Sequence, residues 1–225
     1  MKGYIHYIKG HPGSEEQSKQ SLASFKKHGW DVTRIQGVTP KTVGEYDPFK
    51  LKPNGRLYGF FSKNEKTFLT KLSCVKNHLN FWQRVVDADE PMAFIEHDAV
   101  CISPLGECEF EDYLILNADY TFHPPNVLGY TQFKGYKFTG KGVCDLPKNY
   151  PLLYYKKNDW YGFPMAPGTG AYAITPKGAS TMLKVADKFI DQSDFLINAK
   201  HIKLQCLLPS PVKFSSTNLK TSHGV

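Results

Sequence analysis

Glu96 and Asp98 are the residues of this sequence best placed to do chemistry. They follow a short, uninterrupted apolar run, Met92-Ala93-Phe94-Ile95, and only His97 separates them. Side chains two residues apart in an extended strand point the same way, about 7 Å apart along the backbone. Both carboxylates then project from one side of the strand end. With no basic residue nearby in sequence, they repel each other unless a cation sits between or beside them. Hard oxygen ligands favour Mg2+ or Mn2+ over zinc. Such an ion keeps positions open for a diphosphate and offsets the charge that grows on it as a bond breaks. The spacing also fits a strand-to-loop edge carrying solvated acids.

The charge pattern around the pair is uneven. From Val85 to Asp112 there is no Lys or Arg, yet Asp87, Asp89, Glu90, Glu96, Asp98, Glu107, Glu109, Glu111 and Asp112 all fall there. Overall, 28 Lys and Arg stand against 21 Asp and Glu, a net charge of +7. An acidic island in a basic body suits a cation bound at the island and an anionic ligand drawn to the rest. A solvated acidic face on an ordinary basic protein has the same signature.

The elements that must position these acids read as an α/β chain. Tyr4-Ile5-His6-Tyr7-Ile8 is a strand. Ser14 and Gln17 have the spacing of a capping box, opening a helix that runs to about His28 and stops at Gly29. A second strand, Asp31 to Ile35, completes the opening of a parallel α/β sheet. Residues 41–64 show no clear periodicity. A long helix follows, with Phe68, Leu72, Val75, Leu79, Trp82 and Val86 on one stripe. It leads into the apolar strand Met92–Ile95, at whose carboxyl end open α/β sheets place their ligands. Leu114-Ile115-Leu116 and Ala171-Tyr172-Ala173-Ile174 are further strands. Thr175-Pro176 opens a helix whose apolar face is Ala179, Leu183, Ala186 and Ile190. A last strand is expected within Ile202 to Leu208. The organisation expected is one domain over residues 1–214 with an insertion at 120–167 and a polar tail at 215–225.

Composition narrows the class. The chain has 225 residues, 41% apolar and 22% charged, which excludes collagen-like, low-complexity and fully disordered chains. Its five cysteines, Cys74, Cys101, Cys108, Cys144 and Cys206, form no C-x-x-C pair. They read as reduced thiols of a cytoplasmic protein. No apolar run approaches the roughly 18 residues a bilayer span needs, and no signal peptide precedes the first strand. Peripheral contact with a membrane surface stays open.

Three segments read together are more specific. Ser73-Cys74-Val75-Lys76-Asn77-His78-Leu79-Asn80-Phe81-Trp82 resembles the "S-H-x-x-x-W" helix of glycosyltransferase family 25, with Asn77 in place of the usual Ser. Phe94-Ile95-Glu96-His97-Asp98-Ala99 is similar to that family's "I-L-E-D-D-A" strand end. Gly168-Thr169-Gly170-Ala171-Tyr172-Ala173-Ile174-Thr175-Pro176-Lys177-Gly178-Ala179 is similar to its "G-T-x-A-Y-x-I-x-x-x-G-A" strand-turn-helix. The resemblance covers about Gly3 to Pro209, interrupted at 120–167. It implies a single-domain GT-A-like (Rossmann-like) α/β fold around a nucleotide-sugar-binding sheet. The implied activity is metal-dependent, inverting transfer of a hexose from UDP-galactose or UDP-glucose to a hydroxyl of a glycan. It would operate in the cytoplasm of a bacterial or virus-infected cell.

On this resemblance Glu96 and Asp98 match the acidic motif that holds Mn2+ or Mg2+ and the donor diphosphate, Asp98 being the leading metal ligand. His97 replaces the middle carboxylate and removes a charge. Lys76 and His78 on the long helix, with Glu96 and His97, are assigned to the donor pocket. Ile8 and Gln36 join them by position at strand ends. A histidine beside an apolar stripe is equally a hydrogen-bonded packing residue. Inverting transfer needs a base. The candidates are Asp194, which is preferred, and Asp191, on the segment after the Gly178 helix. Ser193-Asp194 also reads as the cap of a short helix. His223 could close over a metal, or belong to a frayed tail.

From Tyr130 to Phe163 lysines and aromatic rings interleave, including Tyr155 and Trp160. Rings stack on sugars and bases, and lysines attract phosphates. That stretch, with Gly168, Thr169 and Gly170, is assigned to the acceptor side, although locally packed surface hairpins would look the same. Two acceptors are open: a glycan such as a lipopolysaccharide core, or a hydroxymethylated base of viral duplex DNA, which would have to be flipped out. A non-catalytic sugar-nucleotide or glycan binding module is the alternative from another class, kept open by His97.

Overall fold

Alternating apolar residues make β1 (Lys2–Tyr7) a strand with Ile5 fully buried. The helix α1 (Pro12–Lys27) returns the chain so that β2 (Asp31–Gln36) lies parallel to β1. The computed structural model describes residues 1–53, 55–61, 63–120, 139–146, 165–166 and 169–215. α1 starts earlier than the capping box at Ser14 and Gln17 suggested. His11 is the N-cap, its Nδ1 accepting the Ser14 N–H at 3.2 Å, and Pro12 takes the first turn, where no N–H is needed. Ser14 Oγ instead accepts the Ile8 N–H at 2.9 Å. Gly29, at φ 76°, ends the helix in the left-handed conformation that glycine adopts without a Cβ penalty.

The aperiodic 41–64 stretch contains a helix that its pattern did not reveal, α2 (Arg56–Phe61). It is followed by α3 (Glu65–Ala88), β3 (Met92–Glu96), β4 (Ala99–Cys101), β5 (Tyr113–Ile115), β6 (Gly142–Asp145), β7 (Ala171–Ile174), α4 (Pro176–Lys188), α5 (Ser193–Leu196), β8 (Leu204–Leu208) and β9 (Val212–Phe214). Seven strands form one sheet in the order β2-β1-β3-β7-β5-β8-β6, and β4 pairs with β9 separately. The sheet is mixed. β1, β2 and β3 are mutually parallel, whereas β7 runs antiparallel to both β3 and β5.

Strand alternation feeds two hydrophobic layers. On one face Phe94 and Met92 of β3, with Tyr172 and Ile174 of β7, pack under α2, α3 and α4. On the other, Ala93, Ile95, Ala171 and Ala173 meet Phe25 of α1, Trp30 and Val212 of β9. β3 is therefore buried on both faces, as its apolar run predicted.

α3 is capped by Asn64, whose side chain accepts the Thr67 N–H at 2.9 Å. Its buried face is wider than the predicted stripe and rotated from it. Phe81, Val85, Lys71, Ser73 and His78 are buried, while Leu79 and Val86 are only partly so. Phe81 and His78 pack on the sheet rings Tyr4, His6, Phe94 and Tyr172, and α3 also lies against α2 and α4. α4 itself buries Gly178, Ala179, Met182 and Ala186. Among the described residues no helix is long and apolar enough to cross a membrane.

Candidate functional site

The three parallel strands end together. Tyr7 is level with Gln36, and His6 with Glu96, so Ile8, Gln36 and Glu96 leave the same edge of the sheet. β7, running the other way, starts at that edge, and the Glu96 N–H donates to the Gly170 carbonyl at 2.8 Å. This bond pins the acid to the turn that carries Thr169 and Gly170. A Cβ on Gly170 would run into the Phe214 ring, so only glycine lets β9 close against the turn. β9 also fixes the next residues: the Ser215 N–H donates to the Asp98 carbonyl at 2.8 Å.

Both acids are half-buried at this edge. Glu96 is pushed up to about 8, first by burial and then by the Asp98 and Asp194 carboxylates, with Lys71 opposing. Asp98 is also raised by burial, which His97 and a backbone hydrogen bond oppose. Its Oδ1 is buried with no hydrogen-bond partner among the described residues. His97 is lowered by burial, with Asp98 opposing and His11 adding to the shift. Among the described residues no three His, Cys, Asp or Glu side chains are grouped to hold a metal ion.

Asp194 joins the cluster from α5. Its Oδ1 accepts the Thr169 hydroxyl at 3.1 Å, and its charge acts on Glu96, Cys74 and Tyr113. It does not cap α5: the N-cap is Gln192, with no side-chain capping bond. Asp191 has different partners. It is 0% exposed, and its Oδ1 accepts the N–H groups of Leu57 and Gln192, both at 2.8 Å. The carboxylate therefore holds the first turn of α2, and a Cβ on Gly55 would come within 2.8 Å of its Oδ2.

The other expected residues separate. His78 is a core residue. It stacks on Phe94 with centroids 4.3 Å apart, and its Nδ1 lies 2.9 Å from the Tyr172 hydroxyl, which also accepts the Trp82 indole N–H at 3.0 Å. Burial lowers His78 to about 3. Lys76 is half-buried on α3. Tyr155, Trp160, Gly168 and His223 lie outside the described residues.

Sequence reasoning missed three residues near this edge, and Tyr113, which stands level with Met92 at the other end of β3. Asn77 grips the chain beyond β2: its Oδ1 accepts the Val38 N–H at 2.6 Å and its Nδ2 donates to the Val38 carbonyl at 3.3 Å. A serine is too short to make both bonds. Lys71 and Cys74 stand on the helix face of His78, at the i, i+3, i+7 spacing that would have flagged them. Tyr113, fully buried with its hydroxyl unpartnered among the described residues, feels the charges of Asp194 and Glu96.

Comparisons with known proteins bear on this geometry. The family model described as glycosyltransferase family 25 (LPS biosynthesis protein) matches residues 14–197, which include both acids, the α3 motif and Asp194. No curated protein sequence matches. Among solved structures, a mutant β1,4-galactosyltransferase 7 of Drosophila, crystallised with manganese, UDP-Gal and xylobiose, is similar at 10% identity. The match covers 96% of this chain and 71% of that one with a TM-score of 0.33. Mouse xyloside xylosyltransferase 1, in its apo form, is similar at 10% identity over 88% of this chain and 81% of that one, with a TM-score of 0.40. The family model spans β2, β3, β5, β6 and β7 of the sheet. The chain belongs to glycosyltransferase family 25 and is a glycosyltransferase that uses a nucleotide sugar.

Proposed function

We propose that the protein transfers a hexose from a UDP-sugar to a hydroxyl of a glycan, with inversion, at the edge where β1, β2 and β3 end. The observation that carries this reading is that one turn ties the acids of this edge together: Gly170 accepts the Glu96 N–H while its neighbour Thr169 donates to Asp194, whose charge acts on Glu96. A buried carboxylate oxygen without a partner, Asp98 Oδ1, suits a cation. The mutual repulsion that lifts Glu96 suits one as well. Asp98 and Glu96 would hold Mn2+ or Mg2+, whose contribution when bound is to neutralise the leaving diphosphate. Metal dependence and the identity of the sugar belong to this proposal.

Asp194 takes the proton of the acceptor hydroxyl as its oxygen bonds to the anomeric carbon. The electron pair of the breaking bond leaves with the diphosphate on the opposite face, and configuration inverts. Asp194 is preferred to Asp191 because two backbone N–H groups already engage the Asp191 carboxylate. Thr169 orients the base and, with Gly170, faces the acceptor. Ile8 and Gln36 border the nucleotide end. Duplex DNA as acceptor has no support among the described residues, because the basic, aromatic stretch that suggested it lies outside them.

UDP release from UDP-galactose and UDP-glucose, with Mn2+ and a glycan acceptor, tests the reading. Asp194→Asn is expected to lower kcat roughly 100- to 10,000-fold while UDP affinity holds. Asp98→Asn is expected to abolish turnover with little loss of fold. Full activity in either variant overturns the corresponding role.

A further inference from the structure

α3 brings a positive charge to this acidic edge. The His78 ring lies on Phe94, 4.3 Å between centroids, which fixes that level of the helix over β3. Further along α3, the Arg84 guanidinium lies over the Tyr4 ring, 4.9 Å from its centroid. Only three residues separate the end of α3 at Ala88 from the start of β3 at Met92, so the helix runs back against β3 and its earlier turns lie over the strand's carboxyl end. Counted back from His78, Cys74 is about 6 Å and Lys71 about 10 Å along the axis. Glu96 is about 7 Å beyond Phe94. Helical side chains lean toward the amino end. The Cys74 thiol therefore stands level with Glu96, and the Lys71 ammonium reaches just past it, where its charge acts on both groups.

Lys71 is only 7% exposed. A lysine that buried needs carboxylates or an anionic ligand against it, and its charge is felt by both Glu96 and Cys74. An ammonium is a compact point charge with three donors, well suited to phosphate oxygens. His97, standing where a third carboxylate would be, reduces the pull of the cluster on a divalent ion.

We propose that Lys71 is a built-in cation of the donor site, binding the nucleotide diphosphate without a divalent ion and sharing the Glu96–Asp98–Asp194 cluster with that ion when it is present. This rests on the donor site proposed above. The lysine and the ion repel each other, so removing the lysine must loosen diphosphate binding and tighten metal binding at once.

Calorimetric titration of UDP into the full chain, in EDTA and again in MnCl2, tests this. In EDTA the wild-type protein is expected to keep measurable affinity, Lys71→Met to lose about tenfold or more, and Lys71→Arg to retain most of it. With Mn2+ the gap between wild type and Lys71→Met is expected to narrow. Free Mn2+, followed by paramagnetic resonance without nucleotide, should bind tighter to Lys71→Met than to wild type. An equal loss of UDP affinity with and without Mn2+ marks a lysine that only supports the fold, and overturns the proposal. Loss of all wild-type UDP binding in EDTA overturns it too, and that arm needs no variant to fold. Wild-type protein that takes up no UDP even in Mn2+ brings down the donor site itself, and this inference with it.

Discussion

His6 and His78 both stack on Phe94, at 4.1 and 4.3 Å between centroids, and their burial has a price that pH reveals. His78 is lowered from 6.5 to about 3 by burial, with His6 adding, and His6 to about 3 by burial and then Arg84. The folded protein holds both rings neutral in a range where the unfolded chain takes up protons. Their contribution is present above pH 6.5 and is lost as pH falls from there toward 3, at about 1.4 kcal/mol per pH unit for each ring. Urea unfolding at pH 7, 6, 5 and 4.5 should show stability falling across that window. His78→Asn, less stable at pH 7 for loss of the Tyr172 contact, should show a shallower fall. An unchanged slope would mean that His78 does not titrate this way. At Glu96 the sign is opposite. With the carboxyl raised from 4.5 to about 8, the protonated fold is favoured, and that contribution is full below pH 4.5 and lost as pH rises from there to about 8.

At the scale of elements, α2 depends on a residue far along the chain. A six-residue helix is too short to persist alone, and Leu57 donates its N–H to Asp191, 134 residues away. Asp191→Ala leaves that buried donor and the Gln192 N–H unpaired, and is expected to cost about 1–3 kcal/mol. Chemical denaturation measures the loss, and hydrogen exchange should place it in residues 55–61. No local pattern could show this partnership, which is why α2 stayed hidden and Asp191 read as a candidate base. α3, β3 and β7 were legible for the converse reason: their periodicity is written in neighbouring residues. The extent of the α3 face was not, because the rings of β1, β3 and β7 that receive His78 and Phe81 come from distant stretches of chain. The direction of β7 was equally illegible, since alternation looks the same in a parallel or an antiparallel strand. Glu96 and Asp98 could be read as a pair from their spacing. Their meeting with Asp194, Lys71 and Cys74 is a product of the fold.

Across the whole molecule, the proposed donor edge gathers residues from five separate stretches: the β1 end, the β2 end, the β3 end, the turn before β7, and α5. A ligand that binds only this gathered arrangement stabilises the entire fold by mass action, about 2.7 kcal/mol at one hundred times its Kd. A thermal melt with UDP and Mn2+ together should rise above the melts with either alone. Equal midpoints in all conditions would argue against a donor site at this edge.

β9 does more than add a short ribbon. Its Phe214 ring fills the space that Gly170 leaves empty, and the next amide holds the carbonyl of Asp98. Glu96 in turn is bonded to Gly170. The three links make a closed clasp in which the two acids and the turn beside Asp194 share one anchorage. The distance between the carboxylates and the proposed base is thus set late in the chain. A change at Phe214, a residue with no chemistry of its own, would alter the reach of the base and the grip of the acids together.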